Sequence, residues 1–324
     1  MRKLRSSNQT LTRGLSHEIE TGYSQNFSSR IALDEKVKTI DSRFEVKREY
    51  QNLGEIILNV NSQTSFNTND FNNKWYKVIE YLHQNDFKAT YSHGIHQSGH
   101  HIHVDVSDLT PLQIANIYTA FYEYQEVICL AIPESRVSDS SSCYVKPIDR
   151  YQALEVYKMA KDWKKGRITR TQFLENLSDS SSYKFRILST NRLLDFGTLE
   201  ARFFGMPILS DVEESKKRFF YNGQFFVSLV NYFARFKGLQ KVTKDLPSHR
   251  LWTSEDESLE KSKSNRFSKG SPKNFQWTFN TIFRNALECE DNYNHFKSRV
   301  KKVLGFRNYR NKEEMKNFIN SHKW

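Results

Sequence analysis

The segment Ser98-Gly99-His100-His101-Ile102-His103-Val104-Asp105-Val106 alternates the aliphatic Ile102, Val104 and Val106 with His101, His103 and Asp105. Successive side chains of a strand point to opposite faces, so residues two apart share a face. One face of this strand suits a core. The other carries two imidazoles and a carboxylate, spaced about 6–7 Å apart along the backbone. Imidazole nitrogen and carboxylate oxygen both bind divalent metals, and this spacing lets them converge on one ion. A half-solvated strand with a polar outer face has the same pattern, so the segment does not decide by itself.

Two other segments repeat the design. Gly14-Leu15-Ser16-His17-Glu18-Ile19-Glu20 puts Glu18 and Glu20 on one face, where like charges repel unless solvated or held by a cation. Gly197-Thr198-Leu199-Glu200-Ala201-Arg202-Phe203-Phe204 puts Glu200 and Arg202 on one face, with Leu199, Ala201 and Phe203 on the other. Each segment opens at a glycine, the residue of turns and close backbone approach. Singly, each reads as an ordinary amphipathic strand. Together, Glu/Glu, His/His/Asp and Glu/Arg read as the floor of a metal–phosphate site, with arginine meeting the anion.

The order E-x-E, S-G-x-H-x-H, T-x-E-x-R-F resembles the glutamine synthetase-like ligases, and most closely the amidoligase family. The histidine strand followed by a polar turn and a helix, His101 to Asp108 and then Thr110-Pro111-Leu112, is similar to that family. So is an arginine followed by Cys-Tyr and proline, here Arg136, Cys143-Tyr144 and Pro147. The resemblance spans about residues 14–237. The chain departs from the pattern in having two extra residues between Gly14 and Glu18, and Ala201 where the family commonly has phenylalanine.

The resemblance implies an α+β catalytic domain of glutamine synthetase-like type, an antiparallel sheet with a polar active-site face and helices on its aliphatic face. It implies ATP-dependent joining of a carboxylate to an amine through an acyl phosphate, with Mg²⁺ or Mn²⁺ as cofactor. Glu18, Glu20, His101 and Glu200 would be metal ligands. Glu55, at the mouth of a second strand expected over Gly54–Val60, would be a further acidic ligand, although a strand-end glutamate is also simply solvated. His103 would meet nucleotide phosphate or substrate. Arg202, Arg186 and Arg136 would stabilise phosphate charge, and Asp105 would orient a histidine. Lys184 and Arg186 share a face of Tyr183–Leu188 and would suit a triphosphate.

Other elements must position these groups. Phe71, Trp75, Val78, Ile79 and Leu82 recur at helical spacing and predict a helix over 70–85. Thr110-Pro111-Leu112-Gln113 reads as a capped helix start, running to about Cys129. Two helical patterns over 151–178 meet near Gly166, and Ser210-Asp211-Val212-Glu213 reads as a capping box opening an aromatic helix to about Phe236. Residues 28–50 are charged and indistinct, and 88–95 suit a strand. The ligase-like domain is expected over 1–240, a polar linker over 241–275 and basic helices over 276–324.

Composition bounds the alternatives. The 324 residues can bury a sizeable core. A formal charge of +12, from 49 basic and 37 acidic residues, suits an anionic partner or a solubilising surface. No apolar run is long enough to span a membrane, and the basic start is not followed by the apolar stretch of a secretory signal. Cys129, Cys143 and Cys289 are too few and too scattered for a disulfide framework or structural zinc, which makes cytoplasm the expected compartment. Neither a G-x-x-x-x-G-K-[ST] loop nor a G-x-G-x-x-G fingerprint is present. A metal-dependent hydrolase built on H-x-H-x-D is the second reading. A basic nucleic-acid-binding protein is the third, with the cations and aromatics of Phe306–Arg310 as its contact. Expected partners are carboxylate and amine substrates, on a small molecule, peptide or protein, with no membrane.

Overall fold

The fold was analysed in a computed structural model. It describes residues 13–22, 24, 29–48, 54–58, 68–87, 91, 92, 95, 96, 98–130, 145–178, 186–236, 238, 239, 282, 287, 290–306 and 317. The order is β1 (Leu15–Thr21), α1 (Arg30–Ile40), β2 (Phe44–Lys47), β3 (Gly54–Leu58), α2 (Thr68–Gln84), β4 (Tyr91–Ser92), β5 (Ile95–His96), β6 (Gly99–Asp105), α3 (Pro111–Leu130). There follow α4 (Arg150–Lys164), α5 (Arg170–Ser178), β7 (Leu188–Ser189), α6 (Leu193–Phe196), β8 (Thr198–Gly205), α7 (Val212–Ala234) and α8 (Glu290–Phe306).

Six strands form one open antiparallel sheet in the order β2-β3-β1-β6-β8-β7, and β4 pairs with β5 in a small ribbon. The class is therefore α+β. The three strands singled out by their alternation, β1, β6 and β8, are adjacent at its centre. Their aliphatic faces lie against the helices, because amphipathic strands bury one face. Leu15, Ile102, Val104, Leu199 and Ala201 share a core with α3, α4 and α7. Ile19, Phe44, Val46, Ile56 and Leu58 share a second with α1 and α2. Tyr293, Phe296 and Val300 of α8 belong to the first core, so this basic helix packs into the body of the fold.

Local chemistry explains most element starts. Thr110 and Gln113 bond reciprocally at the start of α3, with Pro111 in the first helical position. Gly166, with φ of +70°, separates α4 from α5. Helix α7 opens one residue later than the Ser210–Glu213 box predicts. Asp211 is the cap and accepts from the Glu214 amide at 2.8 Å, while the Ser210 carbonyl instead meets His83 Nε2 at 2.8 Å. A carboxylate competes better than a hydroxyl for the positive end of a helix.

Two expectations are corrected. The indistinct segment 28–50 holds α1 and β2. Ser29 caps α1, and Asp34 Oδ1 accepts the Val46 amide at 2.8 Å, tying helix to strand. In β8, simple alternation fails after Arg202. Ile102 pairs with Ala201 but His100 with Phe204, so β8 carries an extra residue opposite His101. This bulge leaves Arg202 on the polar face and turns both Phe203 and Phe204 toward the helices, their rings 4.3 Å apart.

Candidate metal centre

On the sheet face away from the helices, three pairs stand directly opposite one another across the ladders. Glu18 of β1 faces His101 of β6, Glu20 of β1 faces Glu55 of β3, and His103 of β6 faces Glu200 of β8. Directly opposed side chains lie within about 4.5–5.5 Å at Cβ. Six potential ligands therefore meet on four neighbouring strands. Glu20 opposite Glu55 is a like-charge pair, destabilising unless positive charge is close.

His101 sits at the centre and is 1% exposed. Its Nδ1 lies 3.2 Å from Glu55, 3.5 Å from Glu18 and 3.5 Å from Glu200, and its Nε2 lies 3.5 Å from Glu20. His103 Nε2 is 3.2 Å from Glu18, while its Nδ1 faces Thr198 Oγ1 at 3.3 Å. Glu20 also accepts the Gly99 amide, and Arg202 is paired with Glu200. Glu18 is the most accessible of these ligands, at 21% of its side chain.

The buried imidazoles and carboxylates shift one another's protonation. Burial and Arg202 push the His101 imidazole down, but the carboxylates around it prevail and raise it to about 9. Burial opposes ionisation of Glu18, yet His103 and His101 hold it well below the ordinary carboxylate range. Arg202 and both imidazoles likewise hold Glu200 low against its burial. Glu55 is the exception: burial and the neighbouring charges of Glu18 and Glu20 push it up to about 7, despite His101. His103 is raised by Glu18 against the effect of burial.

The donor set fits a divalent cation. Glu18, Glu55 and His101 offer atoms within 4.8 Å of one another, as do Glu18, His103 and Glu200, and Glu18 is common to both triads. Both His101 ring nitrogens and His103 Nε2 are buried without a partner in hydrogen-bonding geometry among the described residues. Buried polar atoms are usually satisfied by hydrogen bonds, so imidazole nitrogens that meet carboxylates only at 3.2–3.5 Å suit an ion between them.

Of the residues singled out from the sequence, Glu18, Glu20, Glu55, His101, His103, Glu200 and Arg202 come together. His103 offers a nitrogen to one of the two candidate triads, with Glu18 and Glu200. Asp105 shares their face, but its carboxylate accepts the Ser107 amide at 2.8 Å. Arg186 contacts the Pro147 carbonyl at 2.5 Å and Asp149 at 3.0 Å. Arg136 and Lys184 lie outside the described residues. Thr198 was not singled out, although it stands two before Glu200 on the same face and orients His103.

No protein-family model matches this chain, and no curated protein matches it.

Proposed function

We propose that the protein is a divalent-metal-dependent, ATP-using carboxylate–amine ligase whose centre is the polar face of β3, β1, β6 and β8. The observation that carries this reading is the pair of ligand triads sharing Glu18, with Arg202 beside them on the same face. Substrate classes rest on the motif resemblance; metal chemistry rests on the donor set.

In this reading the substrate carboxylate attacks the γ-phosphorus of ATP, ADP leaves, and the amine then displaces phosphate from the acyl phosphate. A bound Mg²⁺ or Mn²⁺ would neutralise phosphate oxygens during transfer. Glu18, Glu55 and His101, and Glu18, His103 and Glu200, would hold the metal. Thr198 keeps His103 Nε2 turned toward Glu18. Arg202 presents a planar fork for the transferring phosphoryl oxygens. Burial of His101, His103 and Glu200 strengthens these charge interactions.

The hydrolase reading is less well supported, because Asp105 spends its carboxylate on the Ser107 turn. The test is calorimetric. Mn²⁺ should bind wild type more tightly with ATP present, and Glu200→Gln should lose that enhancement. Equal ATP-linked metal binding in both proteins would sink the assignment. ATP hydrolysis should also require a carboxylate–amine pair. Steep, salt-sensitive nucleic-acid binding with no hydrolysis would favour the third reading.

A further inference from the structure

Behind the metal centre, on the helix-facing side of the same strands, lies a second polar assembly. His17 Nδ1 is 2.8 Å from His100 Nε2, His100 Nδ1 is 3.3 Å from Asn222 Nδ2, and Asn222 Oδ1 accepts from Arg299 Nη1 at 2.8 Å. His17 is 1%, His100 0%, Asn222 0% and Arg299 7% exposed. The chain runs from β1 through β6 and α7 to α8. The Phe219 ring stacks on His100 at 5.0 Å and lies 4.1 Å from His17. Gly223 lets α7 approach, since a Cβ there would stand 3.1 Å from His17 Cε1.

Its hydrogen-bond polarity is set from one end. Arginine carries donors only, at every ordinary pH. Arg299 therefore requires the oxygen of Asn222 to face it, which turns the amide nitrogen toward His100. His100 Nδ1 must then accept, so neutral His100 carries its proton on Nε2 and donates to His17 Nδ1. His17 in turn carries its proton on Nε2.

The place where this chain grips β6 is informative. His100 immediately precedes His101, and the β6–β8 ladder is interrupted between His100 and Ile102 by the extra residue of β8. A bulge disrupts the ladder locally, so it holds the strand less firmly. We propose that Arg299, acting through Asn222, His100 and His17, is a positioning residue that braces His101 from behind the sheet. The brace makes α8, remote in sequence, part of the metal centre. Its consequence for metal affinity rests on the metal reading above, whereas its geometry does not. Outer partners of metal ligands typically carry about 10–100-fold of affinity.

The experiment is ¹⁵N spectroscopy of the histidine rings combined with Mn²⁺ titration. Wild type should show neutral His100 and His17 with the proton on Nε2. Arg299→Met should lose the fixed tautomers, shift the His101 ring signals and weaken Mn²⁺ binding, by less than the roughly 10–100-fold carried by a group bonded to the ligand itself. Arg299→Lys, still an obligate donor, should restore the tautomers and most of the affinity. If Arg299→Met does not fold, Asn222→Ala breaks the same chain at its middle link. A wild-type His100 proton on Nδ1 would overturn the brace. So would a folded Arg299→Met or Asn222→Ala with unchanged His101 signals. Absence of Mn²⁺ binding in wild type would instead overturn the metal reading, and the ring signals would still judge the brace.

Discussion

Glu18 stands directly across the β1–β6 ladder from His101, with its carboxylate 3.5 Å from His101 Nδ1 and 3.2 Å from His103 Nε2. It is the one carboxylate common to both candidate triads. Glu18→Gln should therefore abolish Mn²⁺ binding, a larger loss than the roughly 10–100-fold expected for an outer partner. Glu55→Gln and Glu200→Gln each remove a ligand from one triad only and should retain weaker binding. Mn²⁺ titration of the three variants tests this. Equal losses in all three would exclude a shared ligand.

Metal uptake should release protons. Free of metal, His101 titrates at about 9 because carboxylates surround it, so at neutral pH it is charged. A metal ligand must be neutral imidazole. Mn²⁺ affinity should therefore rise with pH up to about 9, by up to tenfold per unit for the His101 proton, and more steeply below about 7, where Glu55 also gives up a proton. Calorimetry at pH 7 in two buffers of different ionisation enthalpy reads the released proton directly. A binding heat independent of buffer would show that His101 is not displaced from its proton.

Arg202 tests the proposed binding of phosphate oxygens. Lysine keeps the charge but loses the planar fork. Arg202→Lys should fold normally and bind ATP within about tenfold of wild type. It should lose on the order of 100–1000-fold in turnover, roughly 3–4 kcal/mol of transition-state stabilisation. Unchanged turnover would remove Arg202 from the site and leave it as the partner of Glu200.

Acid stability should be limited by buried neutral histidines. Burial lowers His17 and His295 each to about 3, from an ordinary value of 6.5. Between pH 6.5 and 3 the unfolded chain takes up protons that the folded chain refuses. Their contribution is thus fully present above pH 6.5 and is lost as pH falls toward 3. Each histidine adds a slope approaching ~1.4 kcal/mol per pH unit. Urea unfolding at pH 7, 6 and 5 should show this decline, and His295→Phe should flatten it. A decline in His295→Phe as steep as in wild type would contradict the buried neutral state of His295.

Gly54 offers a control on the fold rather than the chemistry. A Cβ there would clash with Val46 Cγ1 and meet the Lys47 carbonyl at 3.0 Å. Overpacking at such a contact costs about 1–3 kcal/mol. Gly54→Ala should lower the urea midpoint accordingly. A midpoint equal to wild type would mean that β2 and β3 separate without penalty.

What was legible in the sequence was parity. Alternation along Glu18–Glu20, His101–His103 and Glu200–Arg202 placed these groups on strand faces, because a strand's side-chain period is two whatever its neighbours are. Helix signals at Trp75 and Thr110 were legible for the same reason, since capping and periodicity are local, and that of α7 to within one residue, its cap being Asp211 rather than Ser210. Adjacency was not. Only tertiary pairing decided that β1, β6 and β8 are central neighbours and that Glu18 opposes His101. It also placed the bulge opposite His101, which turns Phe204 to the helix side against its alternation. The brace from Arg299 spans 77 residues to Asn222, which itself lies 122 residues from His100. No periodicity reaches across such separations, because these contacts come from helix packing onto the sheet and not from backbone repeat.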